Sequence, residues 1–260
     1  MTLFIMSLNH VYNKYITKYY STIMIAPSFN RFIHKKAISL PFPSKNISME
    51  CTEFNITHYQ ADFFSHHNIS IPKTISQSVN KRQAEFFAGR YTAQLALKKL
   101  NITCDDIPIG ENRAPVFPNT VNASITHTNT TALCAAALPH NYQFLGVDIE
   151  DVILMSTIHD IKNTVIFNDE ITLLEQSILS IEQAFTLAFS AKESLFKALY
   201  PHVGHYFDFS AAKLIEISPD NHRFTLVLTE DLTTKLCSGK VFNGYFSFID
   251  KNHVLTLVAQ

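Results

Sequence analysis

The chain has no tryptophan, only 6 glycines and only 17% charged residues among its 260 residues. So few glycines exclude a collagen-like or low-complexity protein. The 21 Lys and Arg nearly balance the 22 Asp and Glu, for a net charge of −1. This balance argues against a nucleic-acid-binding protein, which needs a strongly basic surface. Hydrophobic residues make up 47%, so the chain can build a globular core.

Paired cysteines and long apolar runs are also missing. No C-x-x-C spacing occurs among Cys51, Cys104, Cys134 and Cys237, which indicates reduced thiols in a cytosol rather than a disulfide scaffold. Polar residues such as Asn9 and Lys14 interrupt the N-terminal residues, so neither a signal peptide nor a transmembrane segment is predicted. We expect a cytoplasmic protein, with peripheral association at the inner membrane left open, and interpret 1–37 as a poorly ordered extension or a misannotated start.

Apolar residues at helical spacing predict two long helices. The first spans about 81–100 and the second about 181–200. Four residues of the first recur one hundred positions later in the second: Gln83, Ala84, Ala88 and Leu95 return as Gln183, Ala184, Ala188 and Leu195. The recurrence fits either a shared amphipathic pattern or a duplicated unit.

Short apolar runs between and after these helices predict strands. They cover 123–127, 132–138, 144–150, 207–217, 223–228 and 244–259. Three prolines and a glycine predict an ordered loop or short hairpin over 107–118. The pattern favours an α+β fold of two pseudo-symmetric half-domains, 38–150 and 151–260, each a long helix packed on a small, mostly antiparallel sheet.

Two acidic residues, Asp148 and Glu150, lie two positions apart in the predicted strand 144–150. Their side chains leave the same face, because successive side chains of a strand alternate. Adjacent carboxylates at the end of a buried strand repel each other and lose hydration, and a divalent cation resolves both problems. Mg²⁺ suits such oxygen ligands, especially together with substrate phosphates. The alternative is a run of solvated acids that continues into Asp151.

A polar stripe follows the second predicted helix, opposite its apolar face. It consists of Thr186, Ser190, Glu193 and Lys197. One interpretation is an exposed helix that the Glu193–Lys197 pair stabilises. The other interpretation is a buried helix. Phenylalanines flank its apolar face, so the helix is apolar nearly all round and is expected to be buried. A buried acid beside a lysine indicates a ligand site.

Five sequence blocks, in order, carry a family resemblance. Two form a paired signature, Gly146-Val-Asp-Ile-Glu150 and Phe189-Ser-Ala-Lys-Glu-Ser-Leu-Phe-Lys197. The other three are Lys81-Arg-Gln-Ala-Glu-Phe-Phe-Ala-Gly-Arg90, Ile109-Gly-Glu-Asn-Arg-Ala-Pro-Val-Phe-Pro118 and Ser124-Ile-Thr-His-Thr128. Together they resemble the 4′-phosphopantetheinyl transferases of the Sfp type, in the branch of enterobactin synthase component D. The resemblance runs from about residue 38 to the C-terminus. It departs from the family at Thr126 and Thr128, where serines are usual, and at Phe117 and Phe189, where tryptophan is frequent.

The resemblance implies a reaction and its catalytic residues. The family transfers the phosphopantetheine arm of coenzyme A to a serine of an apo carrier protein and releases adenosine 3′,5′-bisphosphate. Asp148, Glu150 and Glu193 match the Mg²⁺ ligands of the family. Glu193, or a water on the metal, then accepts the serine proton, and Lys197 supports the reacting phosphate.

The resemblance also implies the residues that bind coenzyme A. His127 matches the family histidine that contacts the 3′-phosphate, with the Thr126 hydroxyl beside it. Arg82, Arg90 and Arg113 are the cationic candidates, because a guanidinium suits phosphate. The alternative for Arg82 and Arg90 is a solvated helix face, and for His127 a buried core histidine.

The branch of the family implies the protein substrates. These are aryl and peptidyl carrier domains of non-ribosomal peptide synthetases that make an enterobactin-like siderophore. One alternative is the same reaction on fatty-acid or polyketide carriers. Another is a non-catalytic coenzyme A-binding homologue, against which the complete set Asp148, Glu150, Glu193 and Lys197 argues.

Overall fold

Two antiparallel sheets, each covered by one long helix, make up the fold in a computed structural model that describes residues 28–41, 45–104 and 106–260. The first sheet has the order β1-β2-β4-β3 and consists of β1 (Ile33–Lys35), β2 (Ile47–Phe54), β3 (Asn122–His127) and β4 (Thr131–Ala137). The second has the order β5-β9-β8-β7-β6 and consists of β5 (Leu145–Asp151), β6 (Ala212–Ser218), β7 (Arg223–Leu228), β8 (Val241–Phe248) and β9 (His253–Ala259). The predicted α+β class, with a helix on a small antiparallel sheet in each half, is confirmed.

The helices include both long ones that the periodicity predicts. They are α1 (Phe63–His66), α2 (Lys73–Ser76), α3 (Asn80–Lys99), α4 (Met155–Val165), α5 (Asn168–Glu175) and α6 (Ile181–Val203). A capping box starts α6, where Ser180 Oγ accepts a hydrogen bond from the Gln183 amide at 3.2 Å. Gly204, with φ 76°, ends it in the left-handed conformation. Within the described ranges no helix combines the length and the apolar character that crossing a bilayer requires.

Buried aromatic side chains pack together around the first half of α3. Phe32, Phe63 and Phe87 are fully buried, and their rings contact one another. Phe32 comes from a helical turn at residues 28–32, and β1 follows it and pairs with β2. The last part of the predicted extension 1–37 therefore contributes side chains to the core and is not poorly ordered there, whereas the alternative of a misannotated start stays a prediction. Residues 1–27 lie outside the described residues.

The strand predicted at 144–150 forms as β5, and it pairs with β9 in the second sheet. Strands up to residue 137 thus belong to the first sheet, and strands from residue 145 belong to the second. The division into half-domains 38–150 and 151–260 stays a prediction. The apolar run 244–259 is two strands rather than one. Asp250 turns the chain between them, and its Oδ1 accepts a hydrogen bond from the Asn252 amide at 2.8 Å.

The edge strands β3 and β5 lie side by side although they belong to different sheets. Hydroxyl groups of β3 join them. The Val147 amide donates to Ser124 Oγ at 3.1 Å, and the Ile149 amide donates to Thr126 Oγ1 at 3.2 Å. These two contacts satisfy buried amides that would otherwise lack a partner at a sheet edge. We call this contact the β3–β5 seam.

Candidate active site

A glycine lets β5 approach α6 very closely. A Cβ atom placed on Gly146 would lie 1.9 Å from the Ser194 carbonyl oxygen and 2.6 Å from the Ala198 nitrogen. Only hydrogen therefore fits at this position. The close packing brings Asp148 and Glu150 of β5 against the polar stripe of α6. The two parts of the predicted signature are thus neighbours in space.

Asp148 lies at the centre of this contact and is only 1% exposed. Its Oδ1 accepts hydrogen bonds from Thr126 Oγ1 at 2.9 Å and from Lys197 Nζ at 2.5 Å. Its Oδ2 accepts a hydrogen bond from Ser190 Oγ at 2.8 Å. Lys197 therefore pairs across to β5, and the pair along the helix that the Glu193–Lys197 spacing suggests does not form. A buried carboxylate needs such partners to stay ionised.

The two glutamates of the site are in a different situation. Burial first, and then repulsion from Asp148, raise the pKa of Glu150 to about 8. Burial and the charge of Asp148 likewise raise the pKa of Glu193, although Lys197 opposes the shift. Among the described residues, neither glutamate carboxylate has a hydrogen bond or an ion pair. Burial tends to lower the pKa of Lys197, but the charge of Asp148 and of both glutamates raises it overall.

The predicted ligands Asp148, Glu150 and Glu193 thus lie within electrostatic range of one another. Their donor atoms are carboxylate oxygens, which fit a hard cation such as Mg²⁺. The described residues nevertheless contain no set of three His, Cys, Asp or Glu side chains already arranged around a metal position. Lys197, bonded to Asp148, supplies the positive charge in this arrangement. The chemistry of the donors fits the cation, and its binding stays a prediction.

His127 ends β3 beside this group and lies among charged side chains. The pKa of its imidazole is lowered, mainly by burial. The charge of Glu85 opposes this shift, and the charges of Arg82 and Lys197 add to it. Arg82 Nη1 also lies 3.8 Å from Glu85 Oε2. The structure therefore brings together His127, Arg82 and Lys197, three of the residues that the resemblance assigns to coenzyme A and its phosphates. Their binding role stays a prediction.

Arg90, which interacts electrostatically with Arg82, is 8% exposed. Its Nε donates to the Ile107 carbonyl oxygen at 2.7 Å, and its guanidinium stacks 4.5 Å from the Phe86 ring centroid. Burial lowers its pKa to about 10. These contacts hold the start of the segment 107–118 against α3. They favour a structural role over both the predicted phosphate contact and the solvated helix face.

The segment 107–118 forms the predicted short hairpin, with a bridge between Ile109 and Pro115. Arg113 lies exposed in its turn, with φ 64°. The neighbouring Asn112 donates to the Tyr200 hydroxyl of α6 at 2.9 Å. The hairpin is thereby tied to the helix that carries Glu193 and Lys197. In the described part of the chain, no hydrogen bond or ion pair links Arg113 to the other predicted residues.

Lys192 precedes Glu193 but points to the other side of α6. It is 3% exposed and donates to Glu170 Oε2 at 2.9 Å and to the Val165 carbonyl oxygen at 2.8 Å. Glu170, fully buried, also accepts the amides of Phe167 and Leu214, each at 2.7 Å. This buried ion pair fixes α5 and β6 to α6. Helices α4 and α5 were not predicted from the sequence. The buried position of Glu170 was not predicted either, because nothing local in 155–175 indicates a buried acid.

Lys192→Met is expected to destabilise the fold by about 3–5 kcal/mol, because it leaves Glu170 charged, buried and without its cation. Lys213→Met is the matched control, since it removes the exposed Lys213–Asp169 pair near the same helix, and its expected cost is much smaller than that of Lys192→Met. Urea denaturation of both variants measures the difference in free energy of unfolding. Equal costs would mean that the buried pair does not hold these elements together.

A cleft opens beside Glu193. Its lining is mostly aromatic, with Phe196, Tyr206, Phe207 and Phe209, and it also contains Lys192 and Asp208. The Glu193 carboxylate thus borders a space that a substrate can enter. Such a mixed apolar and polar lining is typical of small-molecule sites.

The role of Ser190 was missed at the sequence level, although it belongs to the polar stripe. Its hydroxyl contacts both Asp148 and the Thr256 hydroxyl of β9, each at 2.8 Å. The stripe was a usable signal, because four polar residues on the inner face of a buried helix need partners. Which partners they find depends on the strand that packs against them.

Comparison with known proteins places this arrangement in a family. Residues 144–258 match the 4′-phosphopantetheinyl transferase superfamily, and residues 72–137 match the 4′-phosphopantetheinyl transferase N-terminal domain.

Individual relatives agree with the family match. Enterobactin synthase component D of Salmonella typhimurium is 31% identical over 79% of this chain and 85% of its own. The Escherichia coli K12 protein of the same name is 41% identical over 45% of this chain and 55% of its own. The 4′-phosphopantetheinyl transferase Npt of Nocardia iowensis is 30% identical over 54% of this chain and 62% of its own. The chain belongs to the 4′-phosphopantetheinyl transferase superfamily, in the branch of enterobactin synthase component D.

Proposed function

We propose that this chain transfers the 4′-phosphopantetheine arm of coenzyme A to a serine of apo carrier domains in a non-ribosomal peptide synthetase that makes an enterobactin-like siderophore. One observation carries the proposal. The β5–α6 contact gathers Asp148, Glu150, Glu193 and Lys197 beside His127 and an open cleft. Family membership supports the reaction, and the relatives named enterobactin synthase component D support the pathway.

The reaction breaks the phosphoanhydride bond of coenzyme A. The carrier serine Oγ forms a bond to the phosphorus that bears the pantetheine, and adenosine 3′,5′-bisphosphate leaves with the bridging oxygen. Glu193, whose carboxylate borders the open cleft, accepts the serine proton. Lys197 Nζ turns from Asp148 to the phosphate oxygens and stabilises the charge that develops there.

Asp148, Glu150 and Glu193 would hold Mg²⁺, which supplies positive charge to the diphosphate. His127 and Arg82 bind the 3′-phosphate, together with Arg113 if the hairpin folds over the nucleotide. We place the incoming serine at the mouth of the cleft beside Glu193. We place the protein in the cytoplasm, where coenzyme A and the synthetases are made.

The carrier preference tests the pathway. Initial rates are measured for an aryl carrier domain, a peptidyl carrier domain and a fatty-acid acyl carrier protein, all in the apo form. We expect higher kcat/KM for the first two. Equal or higher kcat/KM for the fatty-acid carrier would leave the reaction intact but contradict the siderophore assignment.

Arg113→Ala is expected to raise the KM for coenzyme A about thirtyfold, with little change in kcat. The 3′-phosphate is remote from the bond that breaks, so losing a charge-assisted contact of about 2 kcal/mol weakens ground and transition states alike. The variant should also distinguish coenzyme A from 3′-dephospho-coenzyme A much less well than the wild type does. Steady-state kinetics with both nucleotides measures this.

Lys197→Ala is the contrasting variant, because Lys197 faces the phosphate that reacts. It should lower kcat with a smaller effect on KM. If Arg113→Ala keeps its preference for coenzyme A, the 3′-phosphate binds to Arg82 and His127 without Arg113.

A further inference from the structure

Among the described residues, the Thr126 hydroxyl has one acceptor for its proton, Asp148 Oδ1. Its oxygen accepts a hydrogen bond from the Ile149 amide at 3.2 Å, which leaves the proton for Asp148 Oδ1 at 2.9 Å. Thr126 is 4% exposed, so little of it is open to solvent or to a bound nucleotide. A hydroxyl that donates to a buried carboxylate makes a charge-assisted bond, which is stronger than one between neutral groups.

The other hydroxyl on Asp148 is less firmly committed. Ser190 Oγ donates to Asp148 Oδ2 at 2.8 Å, but it also lies 2.8 Å from the Thr256 hydroxyl, and in that second contact either hydroxyl can be the donor. Lys197, the third partner, turns to the phosphate in the proposed reaction. Among the described residues, Thr126 is thus the donor to Asp148 that has no other acceptor and that keeps its contact throughout the proposed reaction.

We propose that Thr126 is a positioning residue, which fixes the orientation of the Asp148 carboxylate for its cation and couples it to the strand that carries His127. This inference rests on the proposed function and replaces the coenzyme A contact that the resemblance suggests for Thr126. Thr126 lies directly before His127 in β3, and Ile149 lies directly after Asp148 in β5. A shift of either strand therefore moves the carboxylate relative to the imidazole.

A purely structural role for Thr126 can be separated from this one, because β3 carries a matched residue. Ser124 occupies the same face two positions earlier and makes the same kind of seam contact, accepting the Val147 amide at 3.1 Å. Its own hydroxyl donates to the Val147 carbonyl oxygen at 3.5 Å and does not contact the carboxylate. Ser124→Ala thus weakens the β3–β5 seam and leaves Asp148 its partners.

The experiment compares Thr126→Val, Thr126→Ser and Ser124→Ala with the wild type in two measurements. The first is the MgCl₂ concentration that gives half the maximal rise in Tm in the presence of coenzyme A. The second is the MgCl₂ concentration that gives half the maximal rate of transfer to an apo carrier. Thr126→Val should raise both about tenfold, the scale typical of partners that orient a metal ligand. Thr126→Ser should restore both, and Ser124→Ala should keep wild-type values even if its Tm falls.

Several outcomes would overturn the proposal. The first is wild-type magnesium dependence in Thr126→Val. The second is an equal rise of the half-maximal MgCl₂ concentrations in Ser124→Ala. The third is a wild-type Tm that does not change with MgCl₂. If Thr126→Val does not fold, Thr126→Ala removes the same hydroxyl without adding a methyl group. A wild type that responds to MgCl₂ in Tm but modifies no carrier contradicts the proposed function, and the Tm series then decides the role of Thr126 alone.

Discussion

Glu193→Gln is expected to lower kcat for transfer by about 10²- to 10⁴-fold, the range that a positioned general base contributes. The amide cannot accept the serine proton, and it is a poorer ligand for a hard cation. Single-turnover rates with saturating coenzyme A and carrier measure the loss. Glu182→Gln, in the first turn of the same helix, is the control and should transfer at the wild-type rate.

The fold of Glu193→Gln should stay intact. Among the described residues the Glu193 carboxylate has no hydrogen bond or ion pair, so the amide leaves no partner unsatisfied. Asp148→Ala differs in this respect, since it leaves Thr126, Ser190 and Lys197 without their acceptor and should lower Tm as well as activity. A Glu193→Gln variant with near-wild-type turnover would show that another group accepts the proton.

Gly146→Ala is expected to destabilise the fold by about 3 kcal/mol or more, and to abolish transfer with it. The added methyl group would overlap the backbone of α6, and a backbone atom cannot move aside as a side chain can. β5 must then shift away from α6, which separates Asp148 from Lys197. Urea denaturation and the transfer rate together measure the effect.

Gly89→Ala is the matched control in the other half of the fold. Its Cβ would lie 3.2 Å from one side-chain atom, Ile125 Cγ2, which a small rotation relieves. We expect a change within about 1 kcal/mol, because alanine also favours the helix. A Gly146→Ala variant as stable as Gly89→Ala would contradict the close β5–α6 packing.

Local patterns in the sequence predicted the elements that repeat at a regular spacing. The apolar faces of α3 and α6 and the alternation in β5 were sufficient, because periodicity reports which face of an element is buried. Phe29 and Phe32 were assigned to a poorly ordered extension or misannotated start, since five residues of helix and a three-residue strand carry too little pattern. Their burial depends on aromatic partners such as Phe63 and Phe87, which come from distant parts of the chain.

The candidate active site, like the fold, was predicted in part. The sequence pattern placed Asp148 and Glu150 on one face and Glu193 and Lys197 on another, and the family resemblance joined them. It did not predict that Lys197 pairs with Asp148, or that Thr126 donates to the same oxygen. These partners depend on the close approach of β5 to α6 and on the β3–β5 seam. Both are long-range contacts that no local spacing encodes.

The transferase activity itself is tested most directly by the intact mass of an apo carrier domain after incubation with this chain, coenzyme A and MgCl₂. The account predicts that the carrier gains the mass of one phosphopantetheine group. It also predicts no gain when the target serine of the carrier is replaced by alanine, or when the chain carries Glu193→Gln. Aryl, peptidyl and fatty-acid carriers that all keep their apo mass with the folded wild-type chain would contradict it.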